Sequence, residues 1–304
     1  MELLKYGKAI CYSGYRKGQS PKGESPSKAQ IAEDLEILVA DGYRYIRMYD
    51  PNDHARQALE IIRERKLPLR CMVGIDSVPE TNNLNCPFED QNFTEEQLLA
   101  HRRRNDAELD RLIELANAYP EEIVAVSVGN ENTPVWSAHK VSEDRLIEHV
   151  RKLKASVRQP VTFCECCPEW HALGRLAAEV DFISIHSYPY HAENPTLEGA
   201  LDMNRRDYDG IKALYPDKQV LFTEVGWSSN CESVPDENGA MVKLKPLASL
   251  ENEKRYDEEL AAWLEKEQII GFIFEAFDEL WKGDSPIASE CNFGLYDENR
   301  KKKW

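Results

Sequence analysis

Residues 220–230 read V-L-F-T-E-V-G-W-S-S-N. A short apolar run delivers one carboxylate, Glu224, and then turns at Gly226 with Trp227 beside it. That is the pattern of a buried strand whose C-terminal end carries a functional group. Residues 124–132, V-A-V-S-V-G-N-E-N, repeat the grammar: a β-branched run, a glycine, then Asn130 and Glu131. Acid-assisted cleavage of a glycosidic bond takes two carboxylates, one to protonate the leaving oxygen and one to attack the sugar or activate water. Glu131 and Glu224 are the candidates, and the rest of the chain is read as the scaffold that brings them together.

Working outward, strand-like and helix-like stretches alternate from end to end. Strands are expected over 8–13, 45–49, 69–75, 124–132, 160–165, 181–186, 219–224 and 270–275. Ser27-x-x-Gln30 and Thr94-x-x-Gln97 have the capping-box pattern that opens a helix. Further helices are expected over 142–156, 168–179, 197–214 and 251–267, with no strong eighth helix in the tail. Two polar loops, 76–93 and 228–248, are too long for simple connections and are read as excursions over the C-terminal rim of the sheet. The first is a candidate substrate wall; the second could cover the same rim.

Eight βα-like units with little alternation inside the strands predict a (β/α)8 TIM barrel of class α/β, one domain over residues 1–304. The runner-up is an open doubly wound sheet, but no G-x-G-x-x-G follows the first strand. In a barrel, polar residues at C-terminal strand ends are where chemistry sits. Asn130, Glu131, Tyr188, Glu224 and Glu279 all fall on that side.

Lys+Arg number 38 against 54 Asp+Glu, a net charge of -16. The basic runs are short, Arg102–Arg104 within an expected helix followed by acids and Lys301–Lys303 in the tail, so nucleic acid is not expected as a partner. A neutral sugar meets no electrostatic conflict on such a surface. No apolar run approaches a membrane span, and the N-terminal M-E-L-L-K-Y-G-K-A-I lacks the apolar core of a signal peptide; the expected location is cytoplasmic. The eight cysteines are then expected as thiols. Cys164, Cys166 and Cys167 have no second pair at zinc-ligand spacing, and His186 and His191 have no acid or cysteine at such spacing. Neither a metal nor a cofactor is expected.

At this point the residues resemble glycoside hydrolase family 17, the β-1,3-glucanases and β-1,3-glucanosyltransferases. I-C-Y-S near residue 10, R-M-Y-D-P-N at 47–52, V-G-N-E at 128–131, S-Y-P-Y at 187–190, T-E-V-G-W at 223–227, F-D-E-L-W-K at 277–282 and N-F-G-L-Y at 292–296 carry the resemblance over nearly the whole chain. It implies a retaining mechanism on a neutral β-glucan, with Glu131 as general acid/base and Glu224 as nucleophile of normal or low pKa. Asn130 would bond the sugar 2-OH, and Tyr188 would orient the nucleophile. Glu279, Lys282 and Glu290 match a polar set that would buttress the acid/base. Trp227 and Trp281 are natural platforms for a pyranose face, while Arg47 and Tyr49 suit sugar contact or support of the nucleophile. Two departures bear on subsite shape: Leu280 stands where microbial members often have proline, and His186 where asparagine is common. Two rivals stay open, a transglycosylase in which a sugar hydroxyl replaces water and a glycan-binding barrel without catalysis.

Overall fold

The computed structural model describes residues 3–193, 195–235 and 240–304. Its parallel strands follow one another around a closed barrel in sequence order: β1 (Ala9–Cys11), β2 (Tyr45–Met48), β3 (Arg70–Val73), β4 (Ile123–Asn130), β5 (Val161–Cys166), β6 (Ile183–Ser187), β7 (Val220–Val225) and β8 (Gly271–Ile273). β8 pairs back onto β1, so the sheet has no edge and the open doubly wound alternative is excluded. Helices α1 (Lys28–Ala40), α2 (Asp53–Arg65), α3 (Glu95–Ala118), α4 (Glu143–Ser156), α5 (Gly174–Glu179), α6 (Leu197–Leu214) and α7 (Leu250–Glu267) lie between them. Among the described residues, no helix is long and apolar enough to cross a membrane.

Both capping boxes form. Ser27 accepts from the Gln30 backbone while the Gln30 side chain accepts from the Ser27 N–H, and Thr94 and Gln97 do the same. Reciprocal bonds of this kind satisfy two of the donors a helix start leaves orphaned. The single helix expected over 168–179 is instead a 3-10 turn, Cys167–His171, followed by the short α5. Trp170 explains the break: its ring is fully buried and its indole N–H donates to Ser184 O at 2.8 Å, which holds the first turn down on β6.

The period-2 alternation of the strands sorts the core into two layers. Ala9, Cys11, Met72, Ala125, Cys164 and Leu221 face one apolar cluster inside the barrel. Ile10, Ile46, Val73, Val126, Phe163 and Phe222 face the other, where they meet Leu35, Leu59 and Leu112 of the helices. Each of those three leucines is wholly buried, worth about 1.5–3 kcal/mol. All eight cysteines are free, and Cys11 and Cys164 serve as small interior residues.

Registers slip where the site will be. On β7, Ile185 pairs with Phe222 but His186 pairs with Glu224, one extra residue, and the pairing to β8 slips in the same region. β4 carries an extra residue against β5 just before Glu131, and another against β3 at its start. A bulge re-aims side chains, and both carboxylate-bearing strands have one.

Candidate active site

On β2, Tyr45, Arg47 and Tyr49 fall two residues apart and so all point into the barrel. Arg47 is 3 % exposed, and its guanidinium has room only against other polar groups. It donates to Glu224 Oε1 at 2.6 Å, to Thr223 O at 3.0 Å and to Asn130 Oδ1. Tyr49 Oη donates to the same Oε1 at 3.1 Å, and Tyr188 Oη donates to Oε2 at 2.7 Å. Both oxygens of Glu224 are thereby fixed. Burial alone would push this carboxyl up, but the charges of His186 and Arg47 and the bonds from Tyr188 and Arg47 hold it well below the usual range. Gly226 lets the chain turn after β7, since a Cβ there would meet Phe274 O at 2.1 Å.

Glu131 follows β4 in a left-handed conformation, φ +51°, which a non-glycine residue adopts at a cost of about 1–3 kcal/mol. Local bonds hold it there. Its N–H donates to Cys164 O at 2.9 Å, its carbonyl accepts from Ser137 Oγ at 2.6 Å, and Asn132 Oδ1 accepts from Asn130 N at 3.0 Å. The turn aims the carboxylate at β6, where His186 Nδ1 lies 2.7 Å from Glu131 Oε1 and 3.6 Å from Glu224 Oε2. Burial pushes the imidazole toward neutrality, yet the Glu224 charge, the Cys164 thiol and Glu131 outweigh it and raise its pKa to about 10. The ring therefore bridges the two carboxyl groups.

Sequence reading weighs His186 as a metal ligand, without a partner at ligand spacing, and as a departure bearing on subsite shape. Its two partners come from other strands, Glu131 being 55 positions away, so no local spacing could pair them. Glu165 was also missed. It is fully buried on β5 and accepts from Thr133 N and Oγ1 at 3.0 and 2.8 Å, holding the loop after Glu131. Burial, with the Glu131 charge adding to it, raises its carboxyl to about 8 against the pull of the Cys166 and Thr133 N–H groups.

Above the carboxylates opens a cavity of about 1100 Å³. Asn130, Glu131, Tyr49, Tyr188, Glu224, Trp281, Lys282 and Glu290 line it, so most of the expected site residues are brought together. Asn130 spends its Oδ1 on Arg47, and its amide nitrogen has no partner among the described residues. Trp281 is 38 % exposed at the rim, edge-on to Tyr15 at 5.8 Å. Two aromatics not singled out earlier, Phe88 and Trp136, also line the cavity, packed edge to face at 6.3 Å.

Several expectations are corrected. Trp227 is no sugar platform: it is 2 % exposed, packed on Tyr190 and Tyr256, and donates its N–H to Leu247 O. The turn at Gly226 sends it outward into the helix layer. Glu279 and Lys282 do not touch Glu131. Lys282 bridges Glu275 at 2.5 Å and Glu279 at 2.9 Å, and Glu279 accepts from Ser13 Oγ and Tyr15 N, tying the end of β8 to β1. Glu290 is half exposed, 3.8 Å from His191. Arg47 does not line the cavity, so its role is toward Glu224 and Asn130. Of the long loops, 76–93 contributes Asp76 and Phe88 to the wall, whereas no described residue of 228–248 does. That loop forms a hairpin of its own, Ser233–Pro235 against Met241–Lys243. The absence of a metal-ligand set also needs revision: Glu131, Cys166 and His186, from three strands, place donor atoms within 4.8 Å of one another.

Residues 9–294 match the BtgE/BtgC glycoside hydrolase domain. The chain belongs to this family. It is similar to the Aspergillus clavatus protein named "Probable beta-glucosidase btgE", 21 % identical over 95 % of this chain and 45 % of that protein. The chain thus spans less than half the length of that relative. Among solved structures it resembles an endo-laminarinase from Formosa Hel1_33_131 (TM-score 0.78, 24 % identity, 96 % of this chain and 83 % of the other). It also resembles an active-site mutant of a β-1,3-glucanosyltransferase from Rhizomucor miehei in complex with laminaritriose (TM-score 0.74, 20 % identity, 97 % and 95 %). At these identities the two likenesses speak for the barrel, and the family match makes it a glycoside hydrolase barrel.

Proposed function

We propose that this chain is a retaining glycosidase of the family 17 type, acting on β-1,3-linked glucose by double displacement. The observation that carries the reading is the reach of His186 Nδ1 to both carboxylates, at 2.7 and 3.6 Å. The nearest oxygens of Glu131 and Glu224 are therefore no farther apart than those two distances together. That upper bound lies just under the separation of about 6.5–9.5 Å that leaves room for an inverting water, and it supports the closer pairing of retaining enzymes.

In the first step Glu224, kept anionic by Arg47, Tyr49 and Tyr188, attacks the anomeric carbon. The glycosidic C–O bond breaks as Glu131 gives its proton to the leaving oxygen. In the second, Glu131 takes a proton from water, the water oxygen bonds to the anomeric carbon, and the Glu224 ester breaks. The free amide nitrogen of Asn130 is placed to donate to a sugar hydroxyl. A partly aromatic cavity of about 1100 Å³, rich in hydrogen-bonding groups, suits an oligosaccharide.

One observation favours transglycosylation as the second reading. Trp136 lies on the loop that follows Glu131 and, with Phe88, forms an aromatic surface in the cavity wall. A sugar stacked there would compete with water for the glycosyl-enzyme. The test is the product profile from purified laminarioligosaccharides, with Glu224→Gln in parallel. Shorter products alone, absent in the variant, are expected of a hydrolase; products longer than the donor would move the assignment to transfer. Tight binding with no turnover at any chain length would overturn both in favour of a binding barrel.

A further inference from the structure

Glu131, Cys166 and His186 stand at the C-terminal ends of three consecutive strands. One oxygen, one sulfur and one nitrogen from them lie within 4.8 Å of one another, and all three residues line the cavity. The Cys166 thiol donates to Glu131 Oε1 at 3.3 Å, the same oxygen that meets His186 Nδ1 at 2.7 Å. Glycosidic cleavage by two carboxylates has no step for a thiol. We propose that these three side chains form a binding site for a borderline-soft divalent cation, zinc above all, and that its occupation reversibly switches the glycosidase site off.

The donor set decides the class of ion. Mixed oxygen, nitrogen and sulfur ligands suit zinc or cobalt, whereas magnesium and calcium take oxygen shells. Zinc legs of about 2.0–2.1 Å to oxygen and nitrogen and about 2.3 Å to sulfur place tetrahedral ligands roughly 3.3–3.5 Å apart. The oxygen–sulfur pair already has that spacing. The oxygen–nitrogen pair must open by about 0.6 Å, a small swing for Glu131, whose side chain is 22 % exposed. Cys166 and His186 are register partners on β5 and β6, so the sheet and not a loop sets their spacing. Three protein ligands leave the fourth position open to the cavity, where water would complete the shell.

The surroundings favour a cation. Glu224 Oε2 is 3.6 Å from the imidazole, with Arg47 already committed to Glu224 and Asn130. On binding, the thiol proton and any proton on Nδ1 pass to solvent, the carboxylate contributes a lone pair, and nothing is oxidised or reduced. His186 Nε2 has no hydrogen-bond partner among the described residues. Metal-binding histidines usually anchor that second nitrogen, and losing the anchor costs about 10–100-fold in affinity. The site is therefore an exchangeable one that follows free metal, unlike a structural zinc site.

The switch follows from geometry. The ion would hold the Glu131 carboxyl and deny it the proton that the leaving group needs, and it would stand in the cavity that the sugar enters, so metal and substrate exclude each other. This consequence rests on the acid/base reading of Glu131; the binding itself does not.

The test uses cobalt(II) on the intact chain. A saturable near-ultraviolet thiolate-to-cobalt band at one equivalent is expected, displaced by zinc and lost in Cys166→Ser, with Cys166→Ala and near-ultraviolet circular dichroism guarding against misfolding. Glu131→Gln should weaken it by at least about tenfold. In turnover assays zinc should inhibit competitively, a chelator should reverse it, and Cys166→Ser should raise the inhibition constant by at least about tenfold relative to its own uninhibited rate. No band, or a band that survives in folded Cys166 variants, overturns the proposal. A cobalt band in a chain that turns over no glucan would instead leave the metal site standing and remove the glycosidase reading.

Discussion

Glu224 receives Arg47, Tyr49 and Tyr188 on its two oxygens, and each donor bonds to the charged form. Tyr188→Phe removes one such bond, worth about 1.5–3 kcal/mol when the acceptor is ionised. The expected result is a fall of roughly 10–100-fold in kcat with KM little changed, read from steady-state kinetics on laminarioligosaccharides. An effect confined to KM would place Tyr188 on the sugar instead. Glu224→Gln should lower kcat by on the order of 10⁴-fold or more, as loss of a covalent nucleophile does. At this scale the two glutamates were legible because each ends an apolar run at a strand terminus. The residues that connect them were not: His186 meets Glu131 across 55 positions, and only the barrel brings them together. Trp227 was misread because no pattern says which way a side chain turns two residues beyond a strand end.

At the level of elements, strands alternate faithfully until the site and then slip. The bulges of β4 and β7 are invisible in composition, yet they aim Glu131 and Glu224. The strand expected over 270–275 ends at Ile273: Phe274 N still bonds Val225 O of β7, but Glu275 N turns away to Phe293 O. Two tryptophans separate the consequences of loop and core. Trp227→Ala should cost about 3–5 kcal/mol and lower Tm markedly, since the ring is buried among aromatics. Trp281→Ala and Trp136→Ala should leave Tm nearly unchanged and raise KM by roughly 2–10-fold, the worth of an aromatic contact. Trp136→Ala should also reduce any products longer than the donor. Equal melting losses in all three variants would contradict this division.

For the molecule as a whole, the barrel was legible from eight βα-like units, because each buried strand needs a helix to cover it. Acid stability was not, since it depends on histidines that burial holds neutral. Burial lowers His54 and His149 to about 4, and Arg145 adds to the effect at His149. Neither nitrogen of His149 has a hydrogen-bond partner. The folded state thus binds fewer protons than the unfolded chain below about pH 6.5. Stability is fully present above that pH and declines as pH falls toward about 4, by about 3 kcal/mol for each histidine at most. Urea unfolding across this range should show the decline, and His149→Gln should flatten it. A variant as acid-labile as the parent would show that the ring is not the cause.

The central claim is that two carboxylates, joined through one histidine, cleave a β-glucosidic bond with retention. Proton NMR of the anomeric signal in the first product formed from a laminarioligosaccharide tests it most directly. The β-anomer should appear first and mutarotate to α afterwards. An α-anomer formed first would mean inversion and would contradict the roles assigned to Glu131 and Glu224.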